Sequence, residues 1–111
     1  MRDRGAVRVV PKSAVTVAID QGLSLAYGVV TNISEKGACI WTNGSFKSGE
    51  NLLVRLSFPN EPQPVQLLGR VVWSGPGPQG KEALRYGLQW GESREVSPAR
   101  LKTLIGGAAR D

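Results

Sequence analysis

Two short patterns carry what chemistry this chain has. Arg4 and Arg8 form R-x-x-x-R, and Asn32, Ser34 and Gly37 form N-x-S-x-x-G. A guanidinium is a planar fork of donors. It can grip a phosphate, bond a guanine through O6 and N7, or stack on a base. Asn and Ser bring short donors and acceptors to a turn, and Gly37 permits positive φ or a close approach of backbone. Arginines closing over a polar turn suit an anionic, planar-ringed ligand such as a guanine nucleotide. Each pattern alone is weak. N-x-S-x-x-G by itself is an ordinary hairpin connection, and R-x-x-x-R is easily met in a chain with nine arginines.

The elements that must position these residues are short strands. Residues 14–19 are β-branched and alternate, and 27–31 and 38–42 flank the turn at 32–37. Residues 52–58 place Leu52, Val54, Leu56 and Phe58 on one face, with Leu53 out of pattern. The longest strand candidate is 65–73, with Gly69 expected to mark a bulge or bend. The stretch 74–80, rich in Gly and Pro, reads as a loop. The last strand is 84–90, where Gly87 is expected to relieve curvature. Ser97-Pro98 is a helix start, a hydroxyl N-cap followed by proline at the first helical position. A short helix is expected over 99–105, stopped by Gly106-Gly107. Six short strands with Gly and Pro turns predict an all-β, six-stranded antiparallel barrel with a short C-terminal helix. The arm carrying R-x-x-x-R spans 1–12, the barrel and helix 13–106, and a frayed tail 107–111. Pro11 disfavours helix or central strand in the arm, which is expected to be extended and mobile without ligand.

Composition narrows the function. The chain has 111 residues, 41% hydrophobic and 21% charged, enough apolar material for one modest core. It has no histidine, so the usual general base and the commonest metal ligand are missing. Its nine carboxylates are scattered, and one cysteine cannot form an internal disulfide. Neither an enzyme nor a metal site is expected. Cys39 lies in the apolar run 38–41 and reads as a small core residue. Trp41, Trp73 and Trp90 each end an apolar strand, so core or rim packing is expected ahead of stacking on a ligand. Net charge is +5. Arg2, Arg4, Arg8 and Lys12 concentrate the excess in the arm, which fits a phosphorylated ligand or a plain solubilising segment. No apolar run reaches the roughly 18 residues of a spanning helix, and the N-terminus lacks the apolar stretch of a secretory signal. A cytoplasmic protein is expected.

In this order (arm, two strands, polar turn, four more strands, helix) the chain resembles the PilZ domain family. The resemblance runs from Arg4 to about Ile105 and rests on Arg8-Val9-Val10-Pro11, Asn32-Ile33-Ser34-Glu35-Lys36-Gly37-Ala38, Gly69-Arg70-Val71-Val72-Trp73 and Arg85-Tyr86-Gly87-Leu88-Gln89-Trp90. PilZ domains bind the bacterial second messenger cyclic di-GMP. The resemblance implies that Arg4 and Arg8 bind guanine and phosphate groups, that Asn32 and Ser34 contact guanine or phosphate, and that Gly37 keeps the turn open. Asn32 stands where Asp is the common form in the family, and an amide donates as well as accepts. The resemblance further implies an arm that folds over the ligand, a downstream protein partner, no cofactor beyond cyclic di-GMP, and no nucleic acid. Two alternatives stand beside it. One is a PilZ-like protein-interaction domain that does not bind nucleotide. The other is a small basic barrel that binds single-stranded nucleic acid, whose mark would be exposed aromatics among the basic groups.

Overall fold

The computed structural model describes residues 8–59, 61–76, 84–92 and 96–108. Six strands follow in chain order: β1 Thr16–Asp20, β2 Leu25–Ile33, β3 Gly37–Thr42, β4 Asn51–Ser57, β5 Val65–Pro76 and β6 Leu84–Trp90. A helix, α1, spans Pro98–Ala108. The strands close into a barrel in the order β1-β2-β3-β6-β5-β4, and every neighbouring pair is antiparallel. Closure leaves no free sheet edge.

Alternation builds the core. Val17 and Ile19, Val54 and Leu56, Leu67 and Val71, and Tyr86 and Leu88 point inward and are buried. Apolar burial of this kind is the main term stabilising a small barrel. Leu101, Leu104 and Ile105 of α1 join the same buried cluster. The Ser97 hydroxyl accepts from the Arg100 N–H at 3.0 Å, as an N-cap should. Tyr86 is 1% exposed. Its hydroxyl accepts from the Phe46 N–H at 3.0 Å and donates to the Gly44 carbonyl at 3.2 Å. That bond pair ties the connection after β3 to the core.

Several expectations need correction. The strand β5 continues to Pro76, so 74–76 belong to a strand rather than a loop; Gly75 and Pro76 pair with Arg85 and Leu84. Gly69 pairs regularly with Leu52 and Trp90, and the bulge in β5 lies between Val71 and Trp73. The helix does not stop at Gly106-Gly107 but runs on to Ala108. Ala108 is buried, and its carbonyl accepts from the Lys12 N–H at 3.0 Å. Burial and that bond outweigh the poor helix propensity of two glycines.

Candidate functional site

The site is built by an interruption in β2. Ala26 and Val30 are inward, an even-numbered register. Continued, it would point Asn32 into the core. A register shift between Val30 and Asn32 inserts one residue. Ile33 then turns inward and is fully buried, while Asn32 faces outward, half-buried. Bulges commonly re-aim a side chain in this way. Asn32 therefore sits on the end of a strand, not in the turn where the sequence placed it.

The arm meets Asn32 there. Arg8 Nη1 donates to Asn32 Oδ1 at 2.7 Å. Val9 and Ile33 exchange backbone hydrogen bonds at 2.8 and 2.9 Å, an antiparallel bridge that sets Arg8 beside β2. The two patterns, 24 residues apart in sequence, are in contact through Arg8 and Asn32. Arg4 lies outside the described residues.

Ser34 and Gly37 close the adjoining turn. The Ser34 N–H donates to the Gly37 carbonyl at 2.8 Å. The Lys36 N–H donates to Ser34 Oγ at 3.1 Å, a local bond typical of turn serines. The indole Trp90 Nε1 donates to the Ser34 carbonyl at 3.2 Å, and the Trp90 N–H to the Lys36 carbonyl at 2.8 Å. The turn is thus pinned to the end of β6. Ser34 is 0% exposed, so its hydroxyl holds the turn and faces no solvent. Gly37 is buried too. Its backbone conformation is ordinary; what requires glycine is space, since a Cβ would overlap the Leu88 carbonyl oxygen.

Sequence reasoning missed the wall beside this corner. Strand register sets Asn32 opposite Cys39, Cys39 opposite Gly87, and Gly87 opposite Trp73. All four lie on the outer face of β2, β3, β6 and β5. Cys39 is half-buried there rather than in the core. Alternation from Ala38 and Ile40, both inward, decides that. Trp73 is 40% exposed and Trp41 36%, so neither is a core residue. The bulge after Val71 turns Trp73 outward, and its indole occupies the space a Cβ on Gly87 would need. Trp41 pairs with Arg85 in the next row. Trp90 does pack against the core, at its rim.

The corner offers a guanidinium and an amide; the exposed aromatic Trp73 stands three strands along the same outer row. Among the described residues no group of three or more Cys, Asp and Glu side chains is placed to hold a metal ion. No helix among them is long and apolar enough to cross a membrane.

Among the described residues, Arg8 and Val9 are bonded to β2 of a small closed antiparallel barrel. A family model described as PilZ domain matches residues 2–107, and the chain belongs to that family. PilZ domains are regulatory binding domains. Solved structures share the fold. The Bacillus subtilis inhibitor of motility, MotI/DgrA, superposes with a TM-score of 0.71 at 21% identity, over 97% of this chain and 50% of its own. The chain thus spans half the length of that protein. The PilZ domain of YcgR from Escherichia coli, solved with c-di-GMP, superposes with a TM-score of 0.66 at 10% identity, over 96% of this chain and 92% of its own. No curated protein matches the chain significantly.

Proposed function

We propose that this protein is a receptor for cyclic di-GMP that passes the binding event to a partner protein. The observation that carries the reading is the contact of Arg8 with Asn32, because it joins the arm to the polar corner of a PilZ barrel. Arg4 and Arg8 bind the guanine and phosphate groups. Asn32 meets a guanine edge or phosphate. Ser34 and Gly37 shape the turn beneath it, and the buried Ser34 hydroxyl acts by holding that turn. Trp73 is the aromatic flank for a base, a role supported by its exposure and by its place in the outer-face row that begins at Asn32.

Arg8 is exposed and donates to a neutral amide, so a phosphate, which adds an opposite charge and can accept two parallel N–H bonds, offers it a stronger partner. Binding draws the arm over the ligand, and the resulting shift in population is the output. A partner protein that reads the closed arm completes the signal.

Titration calorimetry tests this. Wild type is expected to bind cyclic di-GMP with micromolar or tighter affinity, and Arg4→Ala and Arg8→Ala to abolish the heat. A folded wild-type protein that gives no heat at high ligand concentration overturns the reading.

A further inference from the structure

The segment that carries Arg8 is tied to the molecule at a second place. Val9 is bridged to Ile33 on β2, and three residues further on the Lys12 N–H donates to the Ala108 carbonyl at 3.0 Å. Ala108 is the last residue of α1. The Arg8–Asn32 contact and the end of the helix are therefore joined through residues 8–12. Pro11 fixes one backbone torsion between them, which shortens the slack in that connection.

The end of α1 depends on outside help. The last carbonyls of any helix lack intrahelical donors. Its last turn contains Gly106 and Gly107, the poorest helix formers after proline. A Cβ at either would meet nothing within 4 Å, so no close packing accounts for glycine there. No basic side chain lies in the last turn to interact with its carbonyls. Among the described residues, what holds the turn is the burial of Ala108, 1% exposed, and the bond from Lys12.

We propose that the last turn of α1 reports the state of the arm: it is helical while Arg8 and Val9 are bonded to β2 and Lys12 to Ala108, and it unwinds when that segment leaves. A ligand that draws Arg8 from Asn32 pulls on Val9 and then on Lys12, and Ala108 loses its donor. The altered surface borders the cleft between α1 and the β4–β5 connection, about 520 Å³, lined by Pro59, Glu61, Arg100, Thr103, Gly106 and Gly107. The signal then leaves the barrel at the end of α1. Any such coupling is reciprocal between the two ends.

Amide hydrogen exchange on the full chain, without nucleotide, tests the link. Lys12→Pro removes the donor to Ala108. Val9→Pro removes one of the two bonds to Ile33 and leaves the Lys12 N–H in place. Both are expected to speed exchange of Gly106, Gly107 and Ala108 about fivefold, the factor that one net hydrogen bond supplies. Ile40 and Val54 in the barrel are expected to keep their protection. Adding Gly106→Ala and Gly107→Ala to Lys12→Pro is expected to restore protection, relative to intrinsic rates. Unchanged exchange at the helix end in Lys12→Pro overturns the proposal. So does a change in Lys12→Pro that Val9→Pro fails to reproduce, because Lys12 is then only a local cap. These arms use no nucleotide, so their failure is distinct from that of the calorimetry. Saturating cyclic di-GMP, which presupposes the function proposed above, is expected to speed the same three amides. Nucleotide bound with those amides unmoved overturns the coupling.

Discussion

The indole of Trp73 lies over Gly87, in the space where any other residue would carry its Cβ. The relation needs two local events. A bulge after Val71 turns Trp73 to the outer face, and register then sets it opposite Gly87. An aromatic plane is so placed at the end of a row that begins with Asn32.

Gly87→Ala is expected to displace the Trp73 ring. Overpacking of this kind costs roughly 1–3 kcal/mol. The melt should move to lower denaturant, the tryptophan emission should change, and affinity for cyclic di-GMP should fall with the lost flank. Gly75→Ala is the matched control: its Cβ would meet nothing closer than Trp73 Cζ3 at 4.0 Å, so it should be close to neutral. Equal destabilisation by both would remove the special role of Gly87.

These two residues also mark where the sequence stopped being legible. Residues 84–90 read as a strand with the right ends, and Ser97-Pro98 as a helix start, because alternation and capping are local signals. Parity carried from Val65 through Leu67 and Val71 sends Trp73 into the core. Only the inserted residue reverses it, and a bulge leaves no trace in an unbroken apolar run. Asn32 was found through its motif, while its place on a strand end depends on the same kind of shift. The apolar run around Cys39 hid an alternation in which Cys39 faces out. The helix end shows a tertiary override. Two glycines predict a stop, and a bond from Lys12, almost a hundred positions away, carries the helix past them. Contact between Arg8 and Asn32 was legible because both belong to one family pattern; the fixed partners of the Ser34 turn on β6 were not.

Arg8 and Ser34 are expected to separate binding from stability. Arg8 is exposed, and its bond to Asn32 is to a neutral amide at the surface. Arg8→Ala should change stability by less than about 1 kcal/mol while removing binding. Ser34 is fully buried, and Ser34→Ala leaves the Lys36 N–H without its side-chain acceptor. That loss should cost about 1–2 kcal/mol and weaken binding only as far as the turn loosens. Denaturant melts beside calorimetry on both variants decide the matter. A Ser34→Ala protein of wild-type stability that binds no nucleotide would make Ser34 a direct contact instead of a positioning residue.

Asn32→Asp is expected to preserve binding. The substitution replaces the Arg8 amide bond with an ion pair of the same geometry, and the exposed setting limits its stabilisation to below about 1 kcal/mol. The apo contact becomes stronger and must be broken for Arg8 to reach a phosphate, so ligand association should slow relative to wild type. The difference should shrink as salt screens the pair. Stopped-flow binding at two ionic strengths measures it. An Asn32→Asp protein that associates at the wild-type rate at low salt would mean that the Arg8–Asn32 contact does not gate the site.

Tyr86→Phe isolates what the core contributes to the wall above it. The hydroxyl serves the Phe46 N–H and the Gly44 carbonyl, both in the connection that follows β3. Removing it leaves two buried backbone groups without partners, at a cost of about 1–3 kcal/mol each at most, since some solvent access follows relaxation. The ring itself stays: its edge-to-face contact with Phe46, centroids 5.3 Å apart at 74°, does not use the hydroxyl. The denaturation midpoint should therefore fall with an unchanged slope, the sign of lost stability without lost compactness. Nucleotide affinity should hold, because Tyr86 points inward from β6 while Gly87 and Trp73 lie on its outer face. An affinity loss as large as that of Gly87→Ala would show instead that the 43–46 connection reaches the binding wall.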